Sequence, residues 1–180
     1  EEEAAALINE RDPLIACEKL LDICDLAFLT VGPKGLYIGA YADDQFKRET
    51  KDHIYSKSIL EYNKFEYSRA QLKADCKNPL KIYSHINPYM GGPIEIKNTN
   101  GAGDAALAAL LHDIASNVYH RLVLPHSPKH NGRFLTYSSI HQVSKYCNRV
   151  SYEILRQNSP RILKGLPSRE ESLEDAYWDM

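Results

Sequence analysis

Apolar residues recur at helical spacing in the first part of the chain and then give way to unbroken runs. Glu3 to Asn9 is Ala-rich with an acidic start and predicts a short helix. Leu14, Ile15, Cys17, Leu20, Leu21 and Cys24 fall on one face of a second helix. Asp25 to Val31 is a short apolar run of strand length, ended by the turn signal Gly32-Pro33-Lys34-Gly35. Leu36 to Tyr41 follows with strand propensity. A continuous apolar strand after a helix points to a sheet covered on both faces.

Residues 42–58 are polar and charged, and 58–74 carry a partial helical stripe through Ile59, Tyr62, Phe65 and Leu72. Residues 75–93 hold Pro79, Pro88, Gly91, Gly92 and Pro93, too many breakers for one regular element. Ile94 to Lys97 reads as a strand in one sheet with 25–31, in a βαβ-like order. A helix over 102–117 is apolar nearly all round, which predicts burial. Residues 118–135 are irregular. Thr136 or Ser138 is expected to cap a helix carrying Ile140, Val143, Cys147, Val150 and Ile154, with Pro160 as its stop. Ser168-Arg169-Glu170-Glu171 is a capping box for a last short helix.

Composition narrows the function. In 180 residues, 22 Lys and Arg against 24 Asp and Glu give a net charge of −2. That balance excludes a nucleic-acid binder acting by bulk electrostatics and a polybasic membrane-surface protein. The longest apolar stretch, Ala105 to Leu111, is far short of a membrane span. The four cysteines have neither CxxC nor zinc-ribbon spacing, and Cys17 and Cys24 sit where a buried, inert thiol is usual, so a reducing, cytoplasmic setting is expected. His126 and His130 are four apart, but Pro128 between them prevents an ordinary helical metal pair. The chain opens on Glu1-Glu2-Glu3 without Met and reads as a piece of a longer polypeptide.

The chemistry concentrates where a strand enters a glycine loop and then a helix, at 94–114. A helix start offers unpaired N–H groups and the positive end of the dipole. Gly101 and Gly103 let an anion approach the main chain. The loop is neither a Walker A nor a Rossmann motif. Asp104 has two readings: an acid offsetting the helix dipole, or a carboxylate beside an anion hole that accepts a proton from a substrate hydroxyl.

Asn98-Thr99-Asn100-Gly101-Ala102-Gly103-Asp104 resembles the DTxGAGD signature of the ribokinase (PfkB) family of carbohydrate and nucleoside kinases. Thr30-Val31-Gly32-Pro33-Lys34-Gly35 resembles that family's TxGxxG turn, Leu166 to Glu171 its closing helix, and Glu1 to Ala4 the tail of its N-x-x-E motif. His85 to Pro93, Leu135 to Ser139, Ser159-Pro160-Arg161 and Leu173 to Asp179 are similar to a bacterial purine-nucleoside member.

The resemblance implies a ribokinase-like three-layer α/β/α sandwich. This chain would be the C-terminal, ATP-binding part of one domain, with 43–93 an insertion and the N-terminal part and lid absent. Strand 25–31 would then lie open at its edge and faces. The implied activity is ATP-dependent phosphorylation of a purine nucleoside 5′-hydroxyl. The alternatives are another sugar or adenosine kinase of the family, or a non-catalytic nucleotide-binding fragment. On the family pattern Asp104 is the base, and Gly101, Ala102 and Gly103 form the anion hole. Thr30, Gly32, Gly35, Asn98, Thr99 and Asn148 line ATP, and Glu3 is linked indirectly to the metal. Read by themselves, Gly32 and Gly35 also fit a plain hairpin turn, and Asn148 a solvated helix residue. Mg2+ is expected with ATP. Asn98 replaces the family's Asp, which puts K+ in doubt. The implied partners are ATP and a purine nucleoside, without nucleic acid or membrane; a homodimer stays open.

Overall fold

The structure, a computed structural model, describes residues 2–43, 68–91 and 95–167. Helices α1 (Glu2–Ile8) and α2 (Pro13–Leu20) come first. Asp12 caps α2 by accepting from the Leu14 and Ile15 N–H groups at 2.9 and 3.0 Å, and Pro13 takes the first turn, where its missing N–H costs nothing. Strands β1 (Leu26–Thr30), β2 (Leu36–Asp43) and β3 (Pro79–Ile86) form an antiparallel sheet in the order β1-β2-β3. Two longer helices follow, α3 (Ala102–Val123) and α4 (Ile140–Leu155).

The sheet alternates its side chains between two helix layers, as a period of two requires. Ala27, Leu29 and Tyr41 join Cys17, Leu20 and Leu21 of the α2 segment in one cluster. Leu36, Ile38, Ala40, Ile82 and Ile86 pack with Ala106, Ala109 and Leu110 of α3 and Val143, Cys147 and Val150 of α4 in the other. Gly39 lets α2 lie close on β2: a Cβ there would sit 3.2 Å from the Cys17 carbonyl oxygen. Cys17 is buried, which pushes its thiol up to about 12. Cys24 is exposed, because α2 ends before it and the two thiols no longer share a helical face.

The predicted strand 25–31, the strand from Leu36 and the helix after Ser139 are all present. Other expectations are corrected. Residues 95–97 are not a strand, and the sheet is an antiparallel meander instead of a βαβ arrangement. The third strand comes from the proline-rich stretch. Pro79 opens β3 and Pro88 lies just beyond it, and those are positions where a missing N–H breaks no ladder. Residues 68–72 are extended, with Gln71 bridged to Tyr41 and Phe134, so a helix over 58–74 does not reach its predicted end; 58–67 lie outside the described residues. The capping box at 168–171 also lies outside them.

Helix α3 runs to Val123, into the stretch expected to be irregular. It is also not buried all round. Ala106, Ala109, Leu110, Asp113 and Asn117 face inward, while Leu107, Leu111, Val118 and Leu122 are exposed, because α4 and the sheet cover a single side. Strand β1 is an edge strand among the described residues, but Ala27 and Leu29 on its helix-covered face are buried, so that face is not open as expected. The cap of α4 is Ser139, with a capping box through Gln142. Thr136 and Ser138 have other duties. Thr136 accepts from the Ala70 N–H at 3.1 Å, and Ser138 donates to the buried Asp113 at 2.7 Å. Among the described residues no helix is long and apolar enough to cross a membrane.

Candidate functional site

The 98–104 segment is built from local hydrogen bonds and two anchors to α4. Asn98 folds it: its side-chain oxygen accepts from the Asn100 N–H at 3.0 Å, and its amide donates to the Asn100 carbonyl at 3.2 Å. The Lys97 N–H donates to the Leu155 carbonyl at 2.9 Å, which fixes the entry to the loop at the end of α4. The Ser151 hydroxyl donates to the Ala102 carbonyl at 2.8 Å, which ties the first residue of α3 to α4.

Gly101 occupies the N-cap position of α3 at φ 83°, a left-handed conformation that suits glycine. It makes no side-chain cap, so among the described residues no side-chain hydrogen bond caps the start of this helix. Ala102 N–H reaches Thr99 O at 3.5 Å, and the regular ladder begins with Ala105 N–H to Gly101 O at 2.9 Å. Between them the N–H groups of Gly103 and Asp104 have no backbone acceptor among the described residues. Gly103 and Asp104 are exposed. The Asp104 carboxylate has neither a hydrogen bond nor an ion pair among the described residues. Among the described residues, a 22-residue helix thus opens with free donors, the positive end of its dipole and one uncommitted carboxylate. Such an arrangement can hold an anion and accept a proton beside it.

The other sequence-predicted residues divide into two places. Thr30, at the end of β1, reaches the loop: a Cβ added at Gly103 would lie 3.5 Å from its hydroxyl. Gly35 and Asn148 gather elsewhere, around the chain that leaves β3, and Gly32 lies in the turn that ends at Gly35 with open space where a side chain would stand. Residues 32–35 form a one-turn 3-10 connection between β1 and β2, which is the plain turn that their glycines also suggested. Gly35 stands at φ 90°, and a Cβ there would collide with the Ile86 carbonyl oxygen and lie 2.9 Å from the Pro88 nitrogen. Asn148 donates to the carbonyls of Ile86 and Asn87 at 3.3 and 2.7 Å. Its side-chain oxygen has no partner among the described residues.

Glu3 is exposed on α1, its carboxyl held below the ordinary range first by its own backbone hydrogen bond. Among the described residues no group of three or more His, Cys, Asp or Glu could hold a metal ion. His130 pairs with His120 at 2.8 Å instead of with His126.

Two residues that sequence reasoning did not weigh for the site border it. Ser151 anchors α3, and nothing in a helical sequence marks which serine will do so. Pro160 presses on Gly101: a Cβ at 101 would stand 2.6 Å from the Pro160 carbonyl oxygen. Ser159-Pro160-Arg161 was legible only as a likeness, and its position beside the loop is tertiary.

No protein-family model matches the chain. The chain is 57 % identical over 179 residues to the guanosine-inosine kinase of Escherichia coli strain K12, an overlap of 99 % of this chain and 41 % of that protein. The guanosine-inosine kinases of E. coli strains CFT073 and O157:H7 match with the same identity and coverage. The chain thus spans about two fifths of the length of the curated relatives it matches, 41 %. Over the part it spans, the chain is a close relative of guanosine-inosine kinase.

Proposed function

We propose that this chain carries the ATP side of a purine-nucleoside kinase, which transfers the γ-phosphoryl group of ATP to the 5′-hydroxyl of inosine or guanosine in purine salvage. The uncapped start of α3, with an uncommitted Asp104 in its first turn, is the observation that carries the reading. The named relatives give it a substrate class.

On this reading the Asp104 carboxylate takes the hydroxyl proton, the 5′-oxygen attacks the γ-phosphorus, and the bond to the β-phosphate oxygen breaks to release ADP. The N–H groups from Gly101 to Asp104 hold oxygens of the transferring group. A carboxylate 4 Å from a unit negative charge is repelled by about 1–4 kcal/mol, depending on the local dielectric, so Asp104 must face the hydroxyl and not the phosphate. Magnesium would come with ATP, held mostly by phosphates and water, and would supply positive charge against the phosphates. Asn98 spends its side-chain oxygen on Asn100, which gives no support to a K+ site there. The Asn148 oxygen, without a partner among the described residues, suits an exocyclic amine of adenine.

The helix layers on the two faces of the sheet suit a ribokinase-like sandwich of which 1–180 is the C-terminal part, with 43–93 an insertion that supplies β3. The free cysteines suit a reducing, cytoplasmic setting. The test is turnover by the protein at its full length, with MgATP and inosine, guanosine, adenosine or ribose. Formation of IMP and GMP supports the reading. Exclusive turnover of adenosine or a sugar replaces it with another kinase of the family. ATP binding without turnover of any acceptor leaves a nucleotide-binding module.

A further inference from the structure

We infer that Arg161 is a phosphate-positioning residue for the nucleotide held at the Gly101–Asp104 loop; the inference rests on the kinase reading above and deepens it. The backbone of 159–161 lies against that loop. The space where Gly101 would carry a side chain is filled by Pro160, with its carbonyl oxygen at 2.6 Å and its Cβ at 3.1 Å from the Cβ position. Arg161 is the next residue, one backbone step of about 3.8 Å away. Its main chain is fixed from both sides. The Arg161 N–H donates to the Ser159 hydroxyl at 3.1 Å, and the neighbouring Ile162 packs against the core between the sheet, α3 and α4.

The side chain is left over from this packing. Arg161 is exposed, and its guanidinium has no hydrogen-bond or ion-pair partner among the described residues. Several other arginines are committed: Arg69 to the Thr136 and Lys129 carbonyls and to Asn117, Arg121 to the Gly132 carbonyl, Arg133 to Asp75 and Arg156 to Glu153. A helix dipole supplies only about half a positive charge, while a triphosphate carries several negative ones and Asp104 adds another. A guanidinium offers parallel N–H donors that match phosphate oxygens two at a time. An uncommitted arginine on the residue next to Pro160, itself against Gly101, is within reach of supplying the charge that the loop lacks.

The experiment uses the full-length protein and the variants Arg161→Ala, Arg161→Gln and, as a control at the end of α4, Arg156→Ala. Calorimetry measures Kd for ATP, AMP and adenosine, and steady-state assays separate KM for MgATP from kcat. Hydrogen bonds to charged groups suggest a loss in ATP affinity of about 10- to 100-fold for Arg161→Ala, with adenosine affinity unchanged. KM for MgATP rises in step, and Arg156→Ala behaves as wild type. Should the alanine variant not fold, Arg161→Gln decides, since it keeps the length and loses the charge. Wild-type ATP affinity in either folded variant, with inosine still phosphorylated by the wild type, overturns the role of Arg161 alone. A wild type that neither binds ATP nor phosphorylates a nucleoside overturns the kinase reading and this inference with it.

Discussion

Two glycine turns follow strand-like segments in this chain, and they end in opposite states. At 31–35 the chain closes on itself, with Val31 and Gly35 buried and Gly32, Pro33 and Lys34 exposed. Val31 N–H donates to Gly35 O at 2.9 Å, Lys34 N–H to Val31 O at 3.0 Å, and Gly35 lies against the backbone at 86–88. At 98–104 the loop is anchored from behind by Ser151 and Leu155, while its front holds free N–H groups and an exposed Asp104. A buried backbone donor without a partner costs stability, so the buried ends of this turn, Val31 and Gly35, donate to its own carbonyls. Free donors at a helix start persist because they face outward, and that is where an anion can meet them. The first turn is architecture and the second is available for chemistry.

The largest expected effect breaks the second turn without touching the first. Asp104→Asn in the full-length protein should lower turnover with inosine by about 10²–10⁴-fold, the usual share of a general base, and leave MgATP affinity within a few fold. Retained turnover would make Asp104 a dipole-offsetting residue and nothing more.

Gly35→Ala breaks the first turn. A methyl group would meet backbone atoms at a left-handed φ of 90°, and the strain and overpacking together should cost about 2–4 kcal/mol of stability. Denaturant unfolding measures it; a stability within 0.5 kcal/mol of wild type would show that the 86–88 segment moves aside freely.

Gly103→Ala separates conformation from function at one position. Its φ is not positive, and a Cβ there has ordinary room, 3.5 Å from the Thr30 hydroxyl. The helix should therefore keep or gain stability, by up to about 1 kcal/mol. MgATP should bind roughly tenfold more weakly if the methyl group costs one charge-assisted hydrogen bond at the loop. Unaltered affinity would place the anion elsewhere.

Asn148→Ala removes two hydrogen bonds to the Ile86 and Asn87 carbonyls and should cost about 1–2 kcal/mol, read by thermal melting. No loss would mean that water replaces the amide.

The smallest effect is a pH dependence far from the loop. His130 has its pKa lowered from the ordinary 6.5, first by desolvation and then by His120 and Arg121. The fold therefore favours the neutral ring. Its contribution is present above the unfolded value and is lost as pH falls through it toward the lower folded value. Acidification below about 6.5 should destabilise the wild type more than His130→Gln. Parallel curves would show that the His120–His130 pair carries no proton linkage.

The glycine loop was legible because its chemistry is local: two glycines and an acid at the start of a long apolar helix require no distant partner to be recognised. Thr30 was legible as part of the TxGxxG turn, and the fold brings it to Gly103. Gly35 and Asn148 were legible as residues and not as a pair. They meet across the end of β3, a strand hidden among prolines that periodicity alone reads as breakers. Arg161 carried no local signal, since an exposed arginine after a proline is ordinary until Pro160 is seen against Gly101.

The sequence by itself determined the four α-helices seen among the described residues, the first two strands and a glycine turn at the start of α3, because spacing, caps and turn residues act over a few positions. The tertiary structure alone decided the antiparallel order with β3 at the far edge, which side of α3 is buried, and which donors stay unpaired. Those outcomes depend on what a face packs against. An apolar helix such as α3 carries the same pattern on its covered and uncovered sides, and only its neighbours distinguish them.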